Sequence, residues 1–273
     1  MKNSLWHKIL LHGRVIVRRP RARGLTGSIV LMLSAVFLYG AAPAWGATGS
    51  YQLQHYTPSL SNLSSLQRGA KYFVNYCMGC HSANYSRYNR LAADLGLSED
   101  MVADNLLFTG DRIGKNMTIA MRSEDAQDWF NAIPPDLTLV ARSRGVDWVY
   151  TYLKSFYLDD TRPSGVNNAL FQHTAMPHVL WSLQGWQAAV FDPGRSGNGP
   201  AHHAIKSLEL QTPGLLSEEQ YDKAVGDITN FLYYLSEPIR LHRHWVGIGV
   251  LLFLLVFAII AYFLKREYWK DIH

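Results

Sequence analysis

Apolar residues recur at helical spacing in two segments of the chain. The first stripe follows i, i+4, i+7 and i+8 up to the first cysteine, so it predicts a helix capped by Ser64 or Ser65. Its members are Leu66, Ala70, Phe73 and Val74. The second stripe follows Ser217, which forms a capping box with Gln220, and Pro238 ends it. These two segments predict the main helices of the fold.

The other residues between the two ends of the chain add helices but no clear strands. Shorter helices are predicted at residues 124–131 and 146–156. No segment alternates convincingly between polar and apolar residues at period two. Residues 162–168 and 192–200 are rich in Gly, Pro, Ser and Asn, which predicts long surface loops. The fold class is therefore predicted to be mainly α.

A long apolar run lies near each end of the chain. Residues 245–264 carry no charge, and 20 helical residues at about 1.5 Å each span about 30 Å, the hydrocarbon thickness of a bilayer. This run predicts a transmembrane helix over 241–264, followed by a tail over 265–273. The shorter run at 28–42 follows a basic segment and precedes A-P-A-W-G-A, so 1–46 are predicted to be a signal peptide. An uncleaved membrane anchor is the alternative.

The distribution of charge argues against a nucleic-acid partner. The formal net charge is +5, but seven of the 26 Lys and Arg residues lie before residue 24. Residues 47–240 carry 15 Lys and Arg against 19 Asp and Glu, a formal charge of −4. A domain that binds nucleic acid has a basic footprint, which is missing there.

The candidate chemistry lies in Cys77-Met78-Gly79-Cys80-His81, which holds the only two cysteines of the chain. C-x-x-C-H is the attachment signature of c-type haem, in which both thiols bind the porphyrin covalently and the histidine reaches the iron. A thioredoxin-like redox pair would need a βαβ surround, and a zinc site would need a second half-site. The motif therefore predicts one covalent haem c.

The sixth ligand of the iron decides between an electron carrier and a haem enzyme with an open site. Residues 47–240 contain five methionines, and Met176 stands out because Pro177 stiffens its loop. A histidine and methionine pair closes the iron to substrates and favours electron transfer. The alternative ligands are His173, His178, His202 and His203.

Four stretches carry a resemblance to a known family. They are Y-C-M-G-C-H-S-A-N-Y-S-R-Y from Tyr76, I-P-P-D-L-T-L-V-A-R-S-R-G from Ile133, A-M-P-H-V-L-W from Ala175, and the C-terminal part from Leu216 to K-R-E-Y-W-K-D-I-H. In these stretches the chain resembles cytochrome c1, the haem subunit of the bacterial cytochrome bc1 complex. The resemblance covers nearly everything after the signal.

The resemblance implies a class I c-type cytochrome domain with extended loops over 47–240, in which the two main helices cross at Gly69. It also implies the site residues. Cys77 and Cys80 would carry the thioether bonds, and His81 and Met176 would be the axial ligands of the iron. Pro134 and Pro135 would line the haem, and Arg142 would pair with a haem propionate.

The function implied is electron transfer within a quinol:cytochrome c oxidoreductase. The chain would accept an electron from the Rieske iron-sulfur subunit, beside cytochrome b in a dimeric complex, and pass it to a soluble or tethered c-type cytochrome. It would cross the inner membrane once, with the haem domain periplasmic and the C-terminus cytoplasmic. By itself it would be an electron carrier. A free-standing membrane-tethered cytochrome c and a haem enzyme with an open sixth site are the alternatives.

Overall fold

The structure is a computed structural model that describes residues 51–196 and 203–271. The predicted signal peptide over 1–46 lies outside the described residues. Within them the helices are α1 (Leu63–Tyr72), α2 (Tyr88–Leu95), α3 (Glu99–Asn105), α4 (Ser123–Phe130), α5 (Val140–Ser143), α6 (Val146–Lys154), α7 (Trp181–Gln184), α8 (Glu218–Ser236) and α9 (Arg240–Tyr268). The strands are β1 (Ala83–Arg87), β2 (Asn116–Met117), β3 (Phe156–Leu158), β4 (Val166–Asn168), β5 (Gly185–Ser196) and β6 (His203–Pro213). Helices predominate, which confirms the mainly α fold class.

The core forms where α1 crosses α8, and Gly69 lies at the crossing. A Cβ atom at Gly69 would lie 2.1 Å from the carbonyl oxygen of Asp227 and 2.6 Å from Cβ of Phe231, so only glycine lets the two backbones approach this closely. Beside it, Arg68 donates two hydrogen bonds to the Asp227 carboxylate, at 2.6 and 2.9 Å. The predicted crossing at Gly69 is therefore present.

The ends of the two main helices agree only partly with the prediction. Ser217 caps α8 in the predicted capping box with Gln220. The cap of α1 is Asn62, whose side-chain oxygen accepts from the backbone N–H of Ser65 at 3.1 Å. The predicted caps Ser64 and Ser65 are wrong, because the helix begins before its first buried apolar residue. The predicted helices at 124–131 and 146–156 correspond to α4 and α6.

Three two-stranded antiparallel sheets were not predicted. The first joins β1 to β2, the second joins β3 to β4, and the third is the hairpin of β5 and β6. The predicted loop at 162–168 is wrong in its last three residues, because Val166–Asn168 is a buried strand. Residues 192–196 likewise belong to β5. Register shifts interrupt the hairpin, so its two strands lack the regular alternation that predicts a strand.

The segment before α1, residues 51–61, lies across α6 and α8. The backbone N–H of Tyr56 donates to Asp147 Oδ1 at 2.8 Å, and that of Ser59 donates to Asn230 Oδ1 at 2.9 Å. The ring of Tyr56 stacks on Tyr150 with a centroid separation of 5.1 Å. These contacts hold an extended segment on the helical core.

The last helix, α9, is long and apolar enough to cross a membrane. Its candidate span is Arg243–Tyr268, with a mean hydropathy of 2.8 and no residue of its most apolar window buried against the rest of the chain. Apolar side chains that contact no protein core are typical of a helix that faces lipid. Within residues 51–196 and 203–271, α9 is the one helix that fits a membrane span.

Candidate haem-binding site

The cysteine motif begins where α1 widens into a π-helical turn, Phe73–Cys77. The backbone N–H of Met78 donates to the carbonyl oxygen of Phe73 at 2.9 Å, the i to i+5 bond that defines such a turn. The N–H groups of Cys80 and His81 then both donate to the carbonyl oxygen of Cys77, at 3.1 and 2.9 Å. This single tight turn carries both thiols and the imidazole.

The two thiols are free, and they do not form a disulfide. Burial, followed by the nearby Cys80, raises the pKa of Cys77 to about 12, and burial also raises the pKa of Cys80. A redox-active C-x-x-C pair needs a thiol with a lowered pKa, so these shifts argue against a thioredoxin-like site. Nor does any cluster of three or more His, Cys, Asp or Glu side chains suited to a metal ion occur among residues 51–196 and 203–271.

His81 is held in one orientation by the loop that contains Pro134 and Pro135. Its Nδ1 atom lies 2.7 Å from the carbonyl oxygen of Pro135. Because a carbonyl oxygen can only accept, Nδ1 carries the hydrogen and the lone pair lies on Nε2. Burial lowers the pKa of His81, although the Pro135 carbonyl and Asp136 oppose the shift. The side chain is therefore a neutral imidazole whose Nε2 is available to a metal, which is how metal-binding histidines are oriented.

Asp136 is a site residue that the sequence did not reveal. Its carboxylate accepts from the backbone N–H of Asn84 at 2.8 Å and from that of Thr138 at 2.9 Å. The N–H of Leu137 donates to the carbonyl oxygen of Ser82 at 2.9 Å. These bonds fasten the loop to the chain just after His81 and so fix the position of the Pro135 carbonyl.

Met176 lies in a loop that contacts α6. Its sulfur lies 3.5 Å from the hydroxyl oxygen of Tyr152, and its N–H donates to Thr174 Oγ1 at 3.4 Å. Tyr152 and Thr174 contact each other at 2.9 Å. Neither residue was predicted from the sequence, because no spacing rule connects positions 152 and 176.

The other methionines are less suited to bind a metal. Met78 is 1% exposed, and its sulfur accepts from the Tyr88 hydroxyl at 3.4 Å. Met117 is fully buried in β2, and Met101 is 54% exposed on α3. Met121 is half-buried in the segment before α4. Met176 is thus the methionine that lies in a loop and whose sulfur contacts a hydroxyl group.

The alternative histidines have varied surroundings. His178 is buried with its ring stacked on Phe156 at 5.0 Å, and burial lowers its pKa to about 4. His173 has a positive φ of 62° and contacts Arg162. His203 is the first residue of β6, and His202 lies outside the described residues. His178 is thus packed against aromatic rings, and its Nε2 atom is buried without a hydrogen-bond partner in the described part of the chain.

The remaining predicted residues occupy the surface near the Pro135 loop. Pro134 is half-buried, and Pro135 is exposed although its carbonyl oxygen is bonded to His81. Arg142 is exposed on α5, which packs against α8.

The structure links His81 to Pro135 directly, and it joins Met176 to Tyr152 in a second group of contacts. Adjacent free thiols and an imidazole with a free Nε2 fit a covalently attached haem.

Comparison with known proteins identifies the family. The Cytochrome C1 family profile matches residues 55–185 and 216–272, more than half of the chain. Cytochrome c1 of Allochromatium vinosum is 52% identical over 243 residues, covering 89% of this chain and 99% of that protein. The ammonia monooxygenase gamma subunit of Nitrosomonas europaea is 49% identical over 77% of this chain and 84% of that protein. Cytochrome c1 of Rhodospirillum rubrum is 26% identical over 76% of this chain and 81% of that protein.

The matched regions contain the cysteine turn, the Pro135 loop, the Met176 loop and both main helices. The resemblance to cytochrome c1 and the prediction of one covalent haem c are therefore confirmed. The chain belongs to the Cytochrome C1 family, is the electron-transfer subunit of a cytochrome bc1 complex, and carries one covalently bound haem c.

Proposed function

We propose that Cys77 and Cys80 carry the two thioether bonds of the haem and that His81 and Met176 are its axial ligands. The haem supplies a one-electron couple. The observation that carries this proposal is the bond from His81 Nδ1 to the Pro135 carbonyl at 2.7 Å, which leaves Nε2 free for iron. Met176 would close the sixth position and so restrict the site to electron transfer.

The surrounding residues would position the haem and its ligands without themselves carrying the electron. Pro134 and Pro135 would line one face of the haem, since their loop contacts His81. Arg142 would pair with a propionate, because its exposed guanidinium on α5 has the planar geometry that matches a carboxylate. Asp136 would keep the Pro135 carbonyl in place.

The membrane orientation is also a proposal. The basic segment and apolar run at 1–46 support export of residues 47–240 to the periplasm. With 241–264 as the membrane helix, residues 265–273 would then lie in the cytoplasm. Basic residues flank both ends of the span, with Arg240 and Arg243 before it and Lys265, Arg266 and Lys270 after it, so the export signal carries this assignment.

The partners follow from the family. We infer that the Rieske iron-sulfur subunit delivers the electron, that cytochrome b lies alongside in the membrane, and that a c-type cytochrome in the periplasm accepts the electron. We further infer that the complex is dimeric. Support comes from the high identity to cytochrome c1 of A. vinosum over almost the whole of that protein.

The decisive experiment for the partners is purification of the membrane complex in mild detergent. Co-purification with a b-type haem and an iron-sulfur protein is expected. Recovery of the chain alone would support a free-standing tethered carrier, and recovery with monooxygenase subunits would support the role named for the N. europaea relative. Either result would overturn the proposal.

The ligand assignment is tested by Met176→Leu, with Met101→Leu as the matched control because Met101 is 54% exposed on α3. Met176→Leu is expected to abolish the low-spin spectrum and lower the midpoint potential, whereas Met101→Leu should change neither. The reduced wild-type protein should not bind carbon monoxide. Carbon monoxide binding to the wild type would indicate an open sixth site, and an unchanged Met176→Leu spectrum would exclude Met176 as a ligand.

A further inference from the structure

A closed triangle of hydrogen bonds joins α6 to the Met176 loop. The hydroxyl oxygen of Tyr152 lies 2.9 Å from Thr174 Oγ1 and 3.5 Å from Met176 Sδ. The backbone N–H of Met176 donates to Thr174 Oγ1 at 3.4 Å. Each of the three residues therefore contacts the other two, and Met176 does so through its backbone N–H to Thr174 and its thioether sulfur to Tyr152.

The direction of these bonds follows from the number of hydrogens. Met176 Sδ has no hydrogen and can only accept. Thr174 Oγ1 already accepts from the Met176 N–H, and its own hydrogen can be donated to the Tyr152 oxygen. The Tyr152 hydrogen is then directed to the sulfur. This order, from Thr174 to Tyr152 to Met176, is the one that satisfies all three contacts.

Packing fixes the Tyr152 ring. It stacks on Trp148 with a centroid separation of 4.9 Å and an interplanar angle of 8°, and it meets Phe156 edge-on at 5.2 Å. Thr174 is 4% exposed. Because the ring has two aromatic neighbours and the threonine is buried, the hydroxyl is held at a fixed position beside the sulfur.

We propose that Tyr152 is a positioning residue for the Met176 thioether, and that its hydrogen bond to the sulfur favours the reduced haem. A hydrogen bond withdraws electron density from the sulfur and makes it a weaker donor to iron. Ferric iron needs that donation more than ferrous iron, so the bond raises the reduction potential. The inference rests on the proposed role of Met176 as an axial ligand.

The test is a redox titration of the purified complex that carries Tyr152→Phe. This variant keeps the aromatic ring and removes only the hydroxyl. At a fixed potential the ratio of reduced to oxidised haem is expected to fall about threefold, which corresponds to about 28 mV at 59 mV per tenfold for a one-electron couple. The low-spin spectrum should remain, because Met176 is still present.

Three further variants separate this hydrogen bond from general effects on α6. Tyr150→Phe removes a hydroxyl from the same helix, one that lies 3.5 Å from Lys154 Nζ, and should leave the potential unchanged. Thr174→Val removes the donor that orients Tyr152 and should lower the ratio by less than Tyr152→Phe. Thr174→Ser restores the hydroxyl and should return the wild-type value.

The outcomes distinguish the inference from the proposed function. If Met176→Leu changes the spectrum while Tyr152→Phe leaves the potential unchanged, the inference is overturned and the ligand assignment stands. If Met176→Leu has no effect, both fail. Should Tyr152→Phe not assemble, Thr174→Val is measured in its place, and a wild-type potential there overturns the inference.

Discussion

Gly69 on α1 faces the backbone carbonyl of Asp227 on α8 so closely that a Cβ atom would lie 2.1 Å from its oxygen. The obstacle is backbone and cannot rotate away, so an added methyl group must push the two helices apart. These two helices form the core beside the cysteine turn. Because their backbones lie so close together at this position, only glycine fits there.

Gly69→Ala is therefore expected to destabilise the haem domain by at least about 3 kcal/mol, the upper range for overpacking in a core. Thermal unfolding followed by the haem absorption measures the loss. Gly114→Ala is the control, because no heavy atom lies within 4 Å of the Cβ position there. A change of more than about 0.5 kcal/mol in the control would indicate a general intolerance to substitution.

The cap of α1 gives a second prediction. Asn62→Ala removes the side-chain oxygen that accepts from the Ser65 N–H, and it should cost about 1 kcal/mol. Ser64→Ala alters an exposed residue that has no capping role, and its unfolding free energy should match that of the wild type. Equal losses in denaturant titrations of the two variants would contradict this assignment.

Tyr56 predicts a pH dependence at alkaline pH. Burial, with Asp227 and Tyr150 nearby, raises its pKa from 10.0 to about 12. The folded protein therefore holds the phenol proton more tightly than the unfolded chain. This contribution is complete below pH 10 and is lost as the pH rises towards 12.

Because Tyr56 is only half-buried, we expect the loss over that interval to be about 1 kcal/mol. Tyr56→Phe should reduce the slope of unfolding free energy against pH between 10 and 12 without removing it, because burial also raises the pKa of other tyrosines such as Tyr72 and Tyr221. Tyr85→Phe, at a residue that is 78% exposed, serves as the control and should follow the wild-type curve. If the Tyr56→Phe curve kept the slope of the wild type, Tyr56 would make no contribution to it.

Asp136 gives a fourth prediction. Asp136→Ala removes the acceptors for the N–H groups of Asn84 and Thr138, and the Pro135 loop should loosen at a cost of about 2 kcal/mol. Asp136→Asn retains one acceptor oxygen and should lose less. Thermal unfolding of both variants measures the difference, and equal stability of Asp136→Ala and wild type would show that the loop is held by other contacts.

Residues that act through local spacing were predictable from the sequence. The C-x-x-C-H motif lies within five positions, and the capping box of α8 lies within four, so each is complete in a short stretch of chain. The crossing at Gly69 came from the family resemblance. The membrane helix was evident because its apolar run exceeds the length of most buried helices.

Residues that act through the folded backbone were not predictable. Tyr152 meets Met176 across 24 positions, and Asp136 accepts from Asn84 across 52. Both contacts depend on which loops the helices bring together. The strand β4 has three consecutive buried residues and β5 contains bulges, so neither shows the alternation by which strands are recognised.

The hairpin of β5 and β6 also coincides with the one gap in the family match, between residues 185 and 216. The chain leaves the domain at Gly185 and returns at its paired neighbour Pro213, so both ends of the hairpin meet at one point. Residues can therefore be added to or removed from the two strands of the hairpin without changing the path of the chain near the haem site. A change in the length of this hairpin would thus leave the electron-transfer core as it is.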